Sequence, residues 1–145
     1  MPFNNTIKLT KTPQMQGPDE QTLRLIHDFV CFAKEKLELP QDELIQIKLL
    51  GANPTQPITT GAFEPATKKI CAICQNRHFI DYARTIAHEM VHLKQLLGNE
   101  LVGEFPEIGG KIEDDANAIS GQIMKEYIKT KLTPENKKYL GLGTF

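Results

Sequence analysis

The sequence predicts one small α+β domain with an N-terminal helix, a short three-stranded sheet and two further long helices. Three observations support this fold class. Apolar residues recur at helical spacing in three long segments, and short apolar runs bounded by turn residues indicate strands between them. The third is size: 145 residues with 40% hydrophobic content are enough for one core. We expect residues 1–18 to be an N-terminal arm or tail and residues 19–145 to form the single domain.

The first half of the chain supplies the helix and the sheet. Within the arm, which contains three Pro, the one candidate element is a short strand at Thr6–Thr10. Pro18-Asp19-Glu20 is typical of a helix start, and Pro40 follows the end of that helix. The three predicted strands of the sheet lie at 44–50, 58–63 and 69–74, with turn signals between them. An open edge of such a sheet can hold an extended peptide by main-chain hydrogen bonds.

The next helix carries the most informative motif of the chain, His88-Glu89-Met90-Val91-His92. We predict this helix over Phe79–Leu97, with Gly98 as its C-terminal cap. Residues four apart on a helix share a face, so the two imidazoles can point at one metal ion. Glu89 is offset by about 100°, which places it beside the ion as a base rather than as a ligand. The spacing therefore predicts a zinc site.

A polar stripe on this helix strengthens the prediction. It contains Asp81, Thr85, His88, His92 and Gln95, and apolar residues surround it. Polar groups are costly to bury without a partner, so a stripe of this kind indicates a function. The alternative is a pair of surface histidines on an amphipathic helix, which the apolar neighbours disfavour.

A catalytic zinc shell usually has a third protein ligand. The downstream candidates are Glu100, Glu104, Glu107, Glu113, Asp114 and Asp115. A second helix is predicted from Lys111 to Lys131, and we select Glu113 in its first turn. Ala116 leaves room for close approach to the first helix, and Asn117 shares the face of Glu113, where it could hydrogen-bond a ligand. Acidic residues also favour the first turn of any helix, which accounts for one or two of the three acids.

The stretch Asn76–Gln95, with Glu113-Asp114-Asp115-Ala116-Asn117-Ala118, resembles the gluzincin-type zinc metallopeptidases. The form E-x-x-A-N is similar to ImmA/IrrE-type peptidases and to small metallopeptidase-like proteins encoded by phages. The resemblance covers roughly residues 60–128. It implies a zincin-like domain, His88, His92 and Glu113 as zinc ligands, and Glu89 as general base.

Other positions are less determined by the resemblance. Thr85 and Asp115 join Asn117 as candidates for residues that support the ligands, although many relatives have Glu at the position of Asp115. Four residues are candidates for stabilising the transition state: His78, Arg84, Tyr127 and Tyr139. The segment 98–110 either forms one side of the substrate pocket or is an ordinary surface loop between the two helices.

The predicted function is zinc-dependent hydrolysis of peptide bonds in a peptide or protein substrate, with one Zn²⁺ per chain. The alternative is a non-hydrolytic zinc-binding interaction module with the same fold, which would not need Glu89. A net charge of −1 gives no electrostatic case for nucleic acid or an anionic membrane. We find no export signal or membrane span, so we expect a cytoplasmic protein of a bacterial cell or phage-infected host.

Three cysteines do not form a disulfide framework. Cys71 and Cys74 form a lone C-x-x-C on a predicted strand, where an odd separation puts the two thiols on opposite faces. We therefore expect reduced, structural cysteines rather than a second zinc site.

Overall fold

The structure, a computed structural model, describes residues 6–13, 17–51, 60–98 and 111–142. These residues form an α+β fold with four helices and a four-stranded sheet. The strands are β1 (Ile7–Lys11), β2 (Ile45–Leu50), β3 (Gly61–Glu64) and β4 (Lys69–Ile73). The helices are α1 (Glu20–Lys36), α2 (Phe79–Leu97), α3 (Lys111–Thr130) and α4 (Pro134–Tyr139).

The sheet has the order β1-β2-β4-β3. Strands β1, β2 and β4 are parallel, whereas β3 runs antiparallel to β4. The prediction of a three-stranded sheet was therefore wrong by one strand. The candidate strand at Thr6–Thr10, in the predicted arm, is confirmed as β1 and joins the sheet by pairing with β2 from Ile7↔Ile45 to Lys11↔Leu49. This strand has an exposed, polar outer half, so its place in the sheet depends on backbone pairing that apolar alternation does not report.

Helix α1 connects β1 to its parallel neighbour β2, as a parallel pair requires. Asp19 caps the helix by accepting a hydrogen bond from the Thr22 amide at 2.9 Å. Its buried face includes Ile26, Phe29 and Val30, all with no exposed surface. This face is part of the buried core, and α1 packs against α2, α3 and β1.

Helix α2 has the predicted bounds, Phe79–Leu97, and Gly98 caps its C-terminus. It lies in the middle of the molecule, against α1, β3, β4 and α3. Its apolar residues are almost wholly buried: Ile86, Ala87, Met90 and Leu93 have no exposed surface. The polar stripe of this helix is consequently held between the sheet edge and α3.

Helix α3 begins at Lys111, as predicted, and packs most extensively on α2. Ala116 has no exposed surface at this contact, which agrees with the close approach that a small residue allows. The sequence Thr133-Pro134-Glu135 is also typical of a helix start, and the short terminal helix α4 begins there with Thr133 as its N-cap. Within the described ranges, no helix is both long and apolar enough to cross a bilayer.

Candidate metal centre

The two motif histidines point their side chains at one place on α3. Their ring centroids are 4.9 Å apart with an angle of 82° between the ring planes. His88 Nε2 lies 3.2 Å from Glu113 Oε2, and His92 Nε2 lies 2.8 Å from Glu113 Oε1. One potential ligand atom from each of the three residues lies within 4.8 Å of the others. The structure thus brings together two imidazole nitrogens and one carboxylate in an arrangement that could hold a metal ion.

A hydrogen-bond chain that the sequence did not reveal fixes the orientation of His92. His92 Nδ1 lies 2.8 Å from Gln95 Oε1, and Gln95 Nε2 donates to the Ile112 carbonyl at 3.1 Å. The Ile112 carbonyl can only accept a hydrogen bond, so the amide nitrogen of Gln95 must face it. The amide oxygen of Gln95 therefore faces His92. Nδ1 must then carry the hydrogen, which leaves Nε2 with its lone pair directed at the site when the ring is neutral.

The position of the hydrogen on His92 indicates whether the site fits a metal ion. In neutral His92 the Nε2 lone pair faces a Glu113 carboxylate oxygen at 2.8 Å, so two acceptors confront each other. Such a contact is favourable only with a proton or a cation between the two atoms. Two imidazoles and a carboxylate are a donor set that Zn²⁺ accepts. The three side chains therefore fit a metal cation.

Glu89 lies beside this group and is largely buried. Its side chain lines the same cleft, and the residue is only 7% exposed. Burial raises the pKa of Glu89 to about 7, with a further increase from the Glu113 carboxylate and an opposing effect of His92. A carboxyl group with a pKa near neutrality can both accept and donate a proton in that pH range.

His88 is held by residues of α3. Burial, followed by repulsion from His92, lowers its pKa, while Glu113 and a side-chain hydrogen bond with Asn117 act in the opposite direction. A lowered pKa favours the neutral imidazole that a metal requires. Asn117, one of the three residues predicted to support the ligands, therefore contacts a predicted ligand.

The other two residues of that prediction have different partners. The Thr85 hydroxyl accepts from Arg77 Nη2 at 3.1 Å and donates to the Asp81 carbonyl at 3.2 Å. Thr85 lines the cleft but is held by these contacts rather than by a ligand. Asp115 forms an ion pair with Lys111 Nζ at 2.7 Å on the surface of α3. Gln95, in contrast, was seen only as part of the polar stripe, and its position three residues after His92 was the available signal.

The site opens into a cleft of about 470 Å³ between β3, α2 and α3. Its walls include Thr60 and Gly61 at the start of β3, and Asn117 and Ser120 on α3. Strand β3 pairs with β4 along one edge, and no described strand pairs with its other edge. The cleft therefore runs beside an open sheet edge.

Of the four candidate transition-state stabilisers, the described cleft contains only Arg84. His78 is the N-cap of α2, and its Nε2 lies 2.6 Å from the Leu140 carbonyl oxygen. Tyr127 packs edge-on against Phe29 in the core. Tyr139 donates to the Asp19 carboxylate at 2.6 Å.

The alternative third ligands are not part of the described group. Asp114 is exposed, while Glu100, Glu104 and Glu107, like most of the 98–110 segment, lie outside the described residues. None of the three cysteines, all within the described residues, forms a disulfide bond, and the buried Cys74 thiol donates to the Leu50 carbonyl at 3.7 Å. Among described residues, the potential metal-binding group contains neither Cys71 nor Cys74.

Comparisons with protein-family models, with curated proteins and with solved structures find no match to this chain. The residues and geometry of the site are therefore the basis for inferring its function.

Proposed function

We propose that the chain is a zinc-dependent metallopeptidase with a zincin-like domain, and that His88, His92 and Glu113 hold one zinc ion. One observation carries the proposal: two histidine nitrogens and a carboxylate converge beside a buried glutamate whose pKa is raised to about 7. A site with only a structural role would need no such base. Burying Glu89 costs free energy, and catalysis supplies a reason for that cost.

A zinc ion at this site would lower the pKa of a water molecule and polarise the carbonyl of the peptide bond. Glu89 would accept the proton of that water as the water oxygen attacks the carbonyl carbon. Glu89 would then donate the same proton to the amine nitrogen as the carbon–nitrogen bond breaks. The buried position of Glu89 beside the ligand group would keep its carboxyl close to the reacting atoms for both transfers.

The remaining cleft residues would position the peptide. The open edge of β3 could bind an extended substrate peptide through main-chain hydrogen bonds. The peptide would then lie beside Gly61 and next to Glu89 on α2. The hydrogen bonds that join the Ile112 carbonyl, Gln95 and His92 would keep the Nε2 lone pair of His92 directed at the zinc ion.

Hydrolysis by the Glu89→Gln variant tests this proposal. The amide has nearly the shape of the carboxylate but cannot accept the proton, so we expect the zinc content to stay and hydrolysis to fall by at least about 100-fold. The assay incubates zinc-loaded protein with pooled random-sequence peptides and counts new amino termini by mass spectrometry. Glu35→Gln, an exposed position on α1, is the matched control. Equal hydrolysis by Glu89→Gln and wild-type protein would refute the role of Glu89, and absence of hydrolysis by wild-type protein would refute the peptidase function.

A further inference from the structure

Two arginines line the cleft next to the candidate metal centre. The chain contains three arginines, Arg24, Arg77 and Arg84, and the last two lie in the cleft. Arg24 instead pairs with Glu20 on the exposed face of α1, at 3.1 Å. Lysines outnumber arginines in the sequence, yet none is among the described residues that line this cleft. The concentration of arginine at this place suggests a binding role.

The guanidinium group of Arg77 is held in place. Nη1 donates to the Ile73 carbonyl at 2.8 Å, and Nη2 donates to the Thr85 hydroxyl at 3.1 Å. A guanidinium has five N–H donors, so these two bonds fix its orientation while leaving further donors. In the described part of the chain, no carboxylate forms an ion pair with Arg77.

Arg84 approaches the cleft from α2 and reaches toward α3. A Cβ atom at Gly121 would lie 3.5 Å from Arg84 Nη2, so the guanidinium is beside the α3 backbone. Across residues 6–13, 17–51, 60–98 and 111–142, no hydrogen bond or ion pair occupies this side chain. Asp81 also lines the cleft, but among the described residues it forms an ion pair with neither arginine.

We propose that Arg77 and Arg84 form a carboxylate-binding subsite, so that the substrate is a peptide with an acidic side chain or a free C-terminal carboxylate near the cleaved bond. The proposal rests on the peptidase function. The planar fork of arginine matches a carboxylate with two parallel hydrogen bonds, which lysine cannot provide. Asp81, Glu89 and Glu113 line the same cleft and would repel a dianionic phosphate more strongly than a singly charged carboxylate.

The helix geometry sets where the carboxylate lies relative to the cleaved bond. Arg84 and His88 are four residues apart on α2, about 6 Å along its axis. An extended peptide advances about 3.4 Å per residue. The anionic group is therefore expected within about two residues of the cleaved bond.

Peptide binding, rather than turnover, tests the subsite. The probes are four pools of hexapeptides with one interior position fixed as Glu or Gln, the other positions random, and the C-terminus either a free acid or an amide. Equilibrium dialysis measures their affinity for zinc-loaded Glu89→Gln protein, in which hydrolysis does not consume the probe. We expect at least one carboxylate-bearing pool to bind about 10-fold more tightly than the Gln amide pool. The Glu amide and Gln acid pools distinguish a side-chain carboxylate from a terminal one.

Arginine variants in the same background show whether the preference comes from this subsite. Arg84→Gln should reduce the preference for carboxylate-bearing peptides several-fold, and adding Arg77→Gln should reduce this preference further. Arg84→Lys should keep part of the preference that Arg84→Gln loses. Arg24→Gln is the matched control and should leave it unchanged. Equal affinity of all four pools would overturn the proposal, as would an unchanged preference in Arg84→Gln, since the carboxylate would then be bound by zinc or elsewhere. Absence of hydrolysis by wild-type protein together with an intact arginine-dependent preference would refute the peptidase function alone.

Discussion

At the scale of single residues, the candidate centre depends on side chains that orient the ligands. Gln95 is 4% exposed and bridges His92 to the α3 backbone, while Asn117 hydrogen-bonds His88 from α3 itself. Each histidine therefore has a partner that restrains its ring. Loss of such a partner typically costs about 10–100-fold in metal affinity or activity, because the partner selects the tautomer and orients the ring.

We predict that Gln95→Ala weakens zinc binding by about 10–100-fold, because His92 loses the acceptor that fixes its tautomer. Asn117→Ala should weaken binding through His88, and less strongly, because Asn117 is exposed. Competition with a chromophoric chelator measures both affinities. Gln122→Ala, an exposed position on α3, is the control. Unchanged zinc affinity in Gln95→Ala would show that the hydrogen-bond chain has no role in metal binding.

At the scale of elements, the cleft depends on how closely β3 approaches α2. Gly61 lies directly against the Thr85 methyl group, and a Cβ atom there would overlap that methyl. The same atom would lie 3.1 Å from the Cys71 carbonyl oxygen on β4 and 3.8 Å from Glu89 Cγ. The absence of a side chain at Gly61 therefore permits the strand edge to lie beside the base.

We predict that Gly61→Ala lowers the free energy of unfolding by about 1–3 kcal/mol, because β3 or α2 must move to accommodate the methyl group. Thr85→Ser removes the opposing methyl but keeps the hydroxyl, so the double variant should recover at least about 0.5 kcal/mol relative to additivity. Urea denaturation of the metal-free proteins measures both effects.

A second glycine provides the control for this prediction. A Cβ atom at Gly121 would make only an ordinary contact, at 3.5 Å from Arg84 Nη2, so Gly121→Ala should raise stability by up to about 1 kcal/mol through helix propensity. If Gly61→Ala were equally well tolerated, the close packing of β3 on α2 would be contradicted.

At the scale of the whole molecule, helices with periodic apolar residues were predictable from the sequence, whereas the pairing of strands in the sheet was not. The bounds of α2 and the starts of α3 and α4 followed from apolar spacing and capping residues. The sheet was underestimated because β1 is short, has a polar outer half and is held by backbone pairing with a strand that follows it by more than thirty residues.

The site shows the same division between local and distant information. Two ligands and the base follow from spacing within one helix, and the choice of Glu113 relied on Ala116 and Asn117 in the next helix. The role of Gln95 was not predictable, because its second partner is a backbone carbonyl seventeen residues away, at Ile112. The cleft-lining arginines likewise depend on how α2 and α3 meet. A single sequence contains no direct record of such contacts.

The central claim is that His88, His92 and Glu113 bind one zinc ion, and anomalous diffraction at the zinc edge tests it most directly. Crystals of zinc-loaded protein should show one strong peak per chain between the Nε2 atoms of the two histidines and the Glu113 carboxylate. Glu113→Ala should lose this peak, because two histidines alone make an incomplete shell. A peak at Cys71 and Cys74, a third ligand other than Glu113, or zinc-loaded crystals without a peak at this group would contradict the account.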